Sequence, residues 1–569
     1  MKIRQRKIIP FIALTLLALL FFTLGASNAV AQTPNIGGAM EQTAPPPKEP
    51  PSKPPETPVF AFNDPPESFG LTEDERILVK VFRIENSEER DWKPLQNLLA
   101  PYRFMEMSMA DITEAANLIT AYYRDKNYLL ARAWIPKQDA SNGVLTFRVL
   151  FGEYGEISVK NASAIRTPFL RGMFEDAKKR SATVRRKELE RVMLIARDMP
   201  GGRMPRVLIT PGEKPGTSDF VMEMDGSPRL GGYVMANNQG SRHTGEYRTY
   251  GGVDIHSLFG VADRFSAAYM TTDTTNLKNY RFSYDFPLAN NGLRGEASVA
   301  RTDYELGGAY SVLGATGSAD IIEMSIRYPI RKRPDETIEF VVKTTHKRMT
   351  DDISLGNMEN PRNSTMVTLL ANREARGNLG KRGLYTKLSG GFDIGYLDIK
   401  DMIQEAVDAA GPRTAKVYAK FNLDASSELA LVGNLSLRGA VKLQKILSRD
   451  NVDSSEQFFI SGAGGVRAYT ESVGFDNGFT VSAELKYELP SVGSSLRHSA
   501  NFFVDNGRTW AQKDGYAPVD EFRLADTGPG YSIGYRWLFG AVHIAFPISD
   551  GAGIADPGTR VLWQTGISF

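Results

Sequence analysis

The chain has 569 residues, 42% hydrophobic and 24% charged, with 68 Lys and Arg against 66 Asp and Glu. That apolar content supports a large core, and the even charge excludes a nucleic-acid binder that works through bulk charge. There is no Cys, and the five His, at 243, 256, 346, 498 and 543, include no pair at metal-ligand spacing. Thiol catalysis, disulfides, thiolate zinc and iron–sulfur centres are excluded, and neither a metal nor a cofactor is expected.

The amino terminus reads as an export signal. Lys2, Arg4, Arg6 and Lys7 precede an apolar stretch over 8–24, and small residues then lead to Ala29-Val30-Ala31. A basic start, a short apolar run and an A-x-A end mark a secretory signal peptide over 1–31. The run is short for a transmembrane anchor and contains Pro10. Residues 32–74 follow as a Pro-rich linker. Ten Pro lie between Ala44 and Pro66, which favours extended polyproline backbone over helix or sheet.

Residues 75–156 read as a compact α+β unit in the order β-α-α-β-β. A strand is expected over 77–84 and a short helix over 91–99. Ser108 and Asp111 resemble a capping box, opening a helix with Ile112, Ala115, Ala116, Ile119, Tyr122 and Tyr123 on one face. Strands over 129–135 and 144–150 close the unit as a hairpin. Residues 157–228 repeat the order, with a strand over 157–159, helices over 167–177 and 185–197, and a hairpin of 206–210 with 219–224. Between Ala162 and Arg206 there are twelve Lys and Arg against five Asp and Glu. This surplus is either a solvated helical face or a surface for acidic polypeptide or lipid headgroups.

From 229 onward helical periodicity gives way to period two. Phe479, Val481, Ala483, Leu485 and Tyr487 alternate with Thr480, Ser482, Glu484, Lys486 and Glu488, and Phe282, Tyr284 and Phe286 alternate with Arg281, Ser283 and Asp285. Long strands, apolar on one side and polar on the other, suit lipid outside and water inside. The 341 residues from 229 to 569 hold sixteen candidate strands at about 21 residues per strand and connection. A sheet in lipid must close to satisfy its backbone, so a 16-stranded antiparallel transmembrane β-barrel is expected. The chain ends on Phe569, with Val561, Trp563, Thr565 and Ile567 on the same face, which looks like the terminal signature of outer-membrane proteins.

Several motifs carry a family likeness. The first unit has Tyr123, Tyr128, Arg132-Ala133, Ile135-Pro136, Gln138, Gly143 and Gly152, and the second has Asp198-Met199-Pro200-Gly201 and Gly216-Thr217-Ser218-Asp219. In the barrel, Val466-Arg467-Ala468-Tyr469 resembles a V-R-G-Y loop motif, and Phe503, Asp505 and Gly507 resemble an F-x-D-x-G wall motif. Together they resemble the TpsB transporters of two-partner secretion, the haemolysin secretion/activation proteins of the BamA/TpsB superfamily. The resemblance implies two periplasmic POTRA domains before the barrel. It also implies that the loop carrying Val466, Arg467, Ala468 and Tyr469 folds into the lumen, where Arg467 pairs with Asp505. A guanidinium in a narrow pore needs a carboxylate that accepts two hydrogen bonds in fixed geometry.

The implied function is ATP-independent transport. A secreted partner, such as a large exported adhesin or haemolysin, would bind the POTRA domains unfolded and thread the barrel. Outer-membrane lipid and the barrel assembly machinery are further expected partners, and nucleic acid is not. A BamA-like insertase usually carries more than two POTRA domains, and a passive pore gives the Arg–Asp motif no role. Ala468 departs from the usual Gly and puts the loop tip in question. Relatives often plug the pore with an amino-terminal helix, but Pro34, Gly37 and Gly38 speak against one here, and none is assigned. No catalytic residue is expected. Ser532 lies in a G-x-S-x-G match, but Tyr531, Ile533 and Tyr535 alternate through a strand rather than a nucleophile elbow.

Overall fold

The computed structural model describes residues 35–43, 58, 60–62, 76–87, 91–356, 358–491, 493, 495–515, 519–549 and 558–569. The signal peptide over 1–31 and most of the Pro-rich stretch lie outside the described residues. Two pieces of the expected linker are ordered elements. They are a helix α1 (Ile36–Gln42) and a strand β1 (Phe60–Phe62).

The first α/β unit contains β2 (Ile77–Val79), β3 (Val81–Glu85), α2 (Trp92–Leu98), β4 (Met105–Met107), α3 (Met109–Asp125), β5 (Arg132–Trp134) and β6 (Val144–Leu150). The capping box forms: Asp111 N donates to Ser108 Oγ at 3.3 Å and Ser108 N to Asp111 Oδ2 at 2.8 Å. These bonds from Ser108 hold the Asp111 carboxyl below its ordinary range. Ile112, Ala115, Ile119 and Tyr123 are fully buried against Phe82 and Phe147, as the helical spacing requires. The strand expected over 77–84 is broken at Lys80. β2 pairs with β4, whereas β3 runs parallel to β6. The strand expected over 129–135 shortens to three residues, because 128–131 turns to pack under the second unit.

The second unit contains β7 (Glu153–Asn161), α4 (Thr167–Arg180), α5 (Arg186–Asp198), β8 (Arg206–Pro211) and β9 (Thr217–Met224). Its sheet has the order β1-β8-β9-β7, so β1 from the linker forms one edge, parallel to β8.

Sixteen strands close the barrel. They are β10 (Leu230–Asn237), β11 (Arg248–His256), β12 (Arg264–Thr272), β13 (Leu277–Pro287), β14 (Arg294–Glu305), β15 (Ala315–Lys332), β16 (Glu336–Ile353), β17 (Met358–Leu379), β18 (Arg382–Ile399), β19 (Lys416–Ala430) and β20 (Leu435–Ile446). After a loop holding β21 (Phe458–Phe459) and β22 (Gly474–Phe475) come β23 (Asn477–Glu488), β24 (Leu496–Trp510), β25 (Glu521–Tyr535), β26 (Leu538–Pro547) and β27 (Arg560–Ser568). The seam is β10 against β27, with Tyr233 opposite Ser568 and Asn237 opposite Gln564. Phe569 and Gly232 exchange two backbone hydrogen bonds at 3.0 Å, and a Cβ on Gly232 would lie 2.7 Å from the Phe569 ring. The terminal aromatic thus seals the seam where glycine leaves room for it.

Burial in the barrel is inverted relative to a soluble sheet. Phe282, Phe340, Val342, Leu369, Phe392 and Ile394 are exposed on the outer wall, while Asp285, Lys347, Arg362, Lys420, Asp505 and Asp526 are buried on the inner one. This inversion is what a bilayer outside and a polar lumen inside demand. The barrel strands face the α/β units at the turns 257–263, 288–293 and 333–335. Ser257 Oγ donates to Pro200 O at 2.9 Å and Arg191 donates to Asn291 O at 3.3 Å.

Candidate functional site in the barrel lumen

The long connection between β20 and β23 turns inward, and two groups of contacts hold it. At its tip the backbone closes tightly: Gly462 N donates to Tyr469 O and Val466 N to Ile460 O, both at 2.8 Å. A Cβ on Gly465 would lie 2.2 Å from Ile460 O, so this turn requires glycine. Val466, Ala468 and Tyr469 are buried.

The residues singled out in the sequence meet here. Arg467 Nε lies 3.0 Å from Asp505 Oδ2, Arg467 Nη2 lies 3.4 Å from Glu484 Oε2, and the guanidinium carbon is 4.0 Å from the Phe503 ring centroid. Asp505 Oδ1 accepts from Ser482 Oγ at 2.6 Å. The expected fork on one carboxylate is therefore corrected. The guanidinium divides between Asp505 and Glu484 and stacks on Phe503, because its planar face meets the ring while its edge meets two strands. Gly507 completes the wall motif, since a Cβ there would lie 3.0 Å from Ile460 Cβ and 3.2 Å from Val466 Cγ2. In this motif Phe503 supports the cation, Asp505 pairs with it and Gly507 clears space for the loop. Ala468 is not among the residues with positive φ. Its methyl is accommodated, and its N–H donates to the Asp526 carboxylate. Tyr469 OH donates to Ser549 O at 2.8 Å.

The base of the loop holds a second set that the sequence reading missed. Glu456 is buried between two ammonium groups, Lys347 Nζ at 2.7 Å and Lys420 Nζ at 2.8 Å. Burial alone would raise the Glu456 carboxyl, but the two lysines outweigh it and hold it at about 2. Beside it, Arg362 bridges Asp453 of the loop and Asp351 of β16, each at 2.7 Å. The available sequence signal was faint. Lys347, Arg362 and Lys420 are lumen-side charges on β16, β17 and β19, and they needed a carboxylate from elsewhere.

Helix α1 lies in the lumen against this base, as the plug helix that the sequence alone leaves unassigned. Asn35 caps it through Gly38 N at 3.1 Å. Gln42 O accepts from Arg248 at 2.8 Å, and Gln42 and Gly38 both hydrogen-bond the Ser472 hydroxyl at 3.1 Å. The two glycines that weaken helix propensity are the contact face. A Cβ on Gly37 would lie 2.0 Å from Ser454 O, and one on Gly38 2.8 Å from Ser472 Cβ. Below the tip a cavity of about 420 Å³ remains, lined by Lys387, Asp424, Glu428, Arg438, Lys442 and Glu484 among others.

The family model for haemolysin secretion/activation protein ShlB/FhaC/HecB matches residues 216–536, and a POTRA domain of ShlB type matches 77–152. The chain belongs to this ShlB/FhaC/HecB family. It is 26% identical over 478 residues to the heme/hemopexin transporter protein HuxB of Haemophilus influenzae, covering 83% of each. It is 23% identical over 483 residues to the outer membrane transporter CdiB of Dickeya dadantii, covering 81% of each. Among solved structures, CdiB from Escherichia coli superposes with a TM-score of 0.70 at 18% identity, covering 89% of this chain and 93% of that one. CdiB from Acinetobacter baumannii gives 0.61 at 15%, covering 90% and 94%. As a family member the protein is a two-partner secretion transporter of the outer membrane, with its POTRA region in the periplasm and a secreted protein as cargo.

Proposed function

We propose that the inner loop is a stopper whose tip is the releasable latch and whose base is the fixed anchor. The observation that supports this is the placement of Arg467 against Asp505, Glu484 and Phe503 inside the lumen. An unfolded, adhesin- or haemolysin-like polypeptide leaves the POTRA region, displaces α1 and pushes the tip aside. Folding outside the cell then gives the transport its direction without ATP. Phe569 at the seam is the end presented to the barrel assembly machinery. Arg467→Ala and Asp505→Ala are each expected to reduce cargo secretion at least tenfold at unchanged barrel levels in the outer membrane. Secretion at the normal rate from either variant removes the latch.

Entry follows from the second sheet. An extended cargo segment can join a sheet by strand addition, but the β8 edge already carries β1, with Ala61 opposite Leu208. Cargo therefore competes with the chain's own linker for this edge. Because the protein contains no Cys, the competition can be tested with one engineered pair. Ala61→Cys with Leu208→Cys is expected to block secretion when oxidised and to restore it on reduction. Unimpaired secretion with the disulfide formed excludes entry at this edge.

A further inference from the structure

The basic surplus of the second α/β unit is not used by the lumen. Twelve Lys and Arg lie between Ala162 and Arg206, and most are committed. Several pair with acids, as Arg180 does with Glu188 and Arg186 with Glu190. Others stack on aromatic rings, as Arg185 does on Tyr128 and Arg191 on Tyr328. Among the described residues, four exposed cations, Arg166, Arg171, Lys187 and Arg203, make no side-chain hydrogen bond or ion pair, although Lys187 lies within electrostatic reach of Glu190.

Three of these four surround the periplasmic turns of one barrel sector. Arg166 lies against the turn 257–263. Its N–H donates to Gly260 O at 2.8 Å, and its Cγ is 2.9 Å from where a Gly260 Cβ would stand. Arg203 follows Gly201, which packs on Ser257 of the same turn. Arg171 precedes Gly172, which packs on Asn290 of the turn 288–293. Those turns carry exposed apolar side chains: Phe259 is 59% exposed and Leu288 47%. Phe259 sits edge-on to Tyr284, which stacks on Phe286 along the outer wall. An aromatic girdle of this kind marks where hydrocarbon gives way to headgroups. Arg166 and the segments that carry Arg171 and Arg203 thus lie at the turns below that boundary, on the side of the lipid phosphates.

We infer that Arg166, Arg171 and Arg203 form a collar that binds the phosphates of anionic phospholipids in the periplasmic leaflet. Guanidinium groups bind phosphate through forked hydrogen bonds, and the adjoining Phe259 and Leu288 side chains enter the acyl region. An acidic polypeptide suits the place less well. The cations come from three separate segments around lipid-level turns. The collar would hold the second unit against the membrane while cargo is passed to the lumen.

The full-length protein is placed in nanodiscs of phosphatidylethanolamine and phosphatidylglycerol at a fixed ratio, and the lipids retained on release are counted by native mass spectrometry. The wild type is expected to retain phosphatidylglycerol at least threefold above its bulk share. The combined Arg166→Ser, Arg171→Ser and Arg203→Ser variant is expected to fall to the bulk share. Lys187→Ser, remote from the turns beside Asn127, is expected to behave as wild type. Arg171→Ser alone, at an exposed position, gives a partial loss and serves if the triple variant does not fold. Unchanged enrichment in a folded Arg171→Ser or triple variant overturns the proposal. So does an equal loss in Lys187→Ser, or protection of residues 162–206 from hydrogen exchange by polyglutamate but not by phosphatidylglycerol.

Discussion

At its base the inner loop presents two carboxylates, Asp453 and Glu456, to Arg362, Lys347 and Lys420; at its tip it presents one guanidinium to Asp505 and Glu484. With Asp351 included, the base has three acids and three cations. Around the tip, Arg467 and Arg438 face Glu428, Glu484, Asp505 and Asp526, and Lys387, Lys442 and Asp424 line the same cavity, so the charges at the tip are spread around an open space. The base is also the drier of the two. Lys347, Lys420 and Glu456 side chains are 10%, 8% and 2% exposed, whereas Arg467 is 16% exposed and borders the cavity. A balanced, dry cluster resists separation because every partner would be stranded in a medium of low polarity. A cluster that borders a polar cavity can be opened and rehydrated. The same kind of interaction can therefore anchor at one end of a loop and yield at the other.

The largest expected effect comes from breaking the base. Glu456→Ala leaves Lys347 and Lys420 facing each other without a counter-charge, and a stranded buried charge costs about 3–5 kcal/mol. Purified Glu456→Ala protein is expected to lose its heat-resistant gel mobility at a clearly lower temperature than wild type. Arg467→Ala is expected to lower that temperature less, since Glu484 lines the neighbouring cavity and can draw on it for water, while Asp505 keeps the Ser482 hydroxyl. A larger loss in Arg467→Ala would invert the ranking and make the tip the structural anchor.

The two ends also differ in how far the sequence reveals them. The barrel is legible because alternation such as Phe479 to Tyr487 is local, and each strand carries its own record of which face meets lipid. The pairing at the tip is legible because Arg467 and Asp505 lie in two compact motifs, 466–469 and 503–507, whereas Glu484 and Asp526 lie in neither. The base is not, because Ser454-Ser455-Glu456-Gln457 reads as an ordinary polar loop, and Glu456 is 109 residues from Lys347. Helix α1 is hidden for a related reason. Gly37 and Gly38 lower its intrinsic propensity, yet the close approach of Ser454 and Ser472 is what requires them. Strand β1 spans three residues beside a Pro-rich run, too few to show a period. In each case the determining contact is long-range, and only the folded chain displays it.

A smaller effect separates the ends by pH. The Glu456 carboxyl is held at about 2, against an ordinary 4.5, by Lys347 and Lys420 acting against burial. A carboxyl whose value is depressed on folding adds stability above its unfolded value and loses that stability as the pH falls toward the folded value. The base is therefore expected to hold unchanged from neutrality down to about pH 4.5 and to weaken between 4.5 and 2, by on the order of 3 kcal/mol in total. In planar bilayers, the wild-type conductance is expected to stay low at pH 5 and to rise below pH 4. Glu456→Gln has no carboxyl to titrate and is expected to lose that step. Opening of the wild type between pH 7 and 5, retained in Glu456→Gln, would place the acid-sensitive step at the tip and overturn its assignment to Glu456.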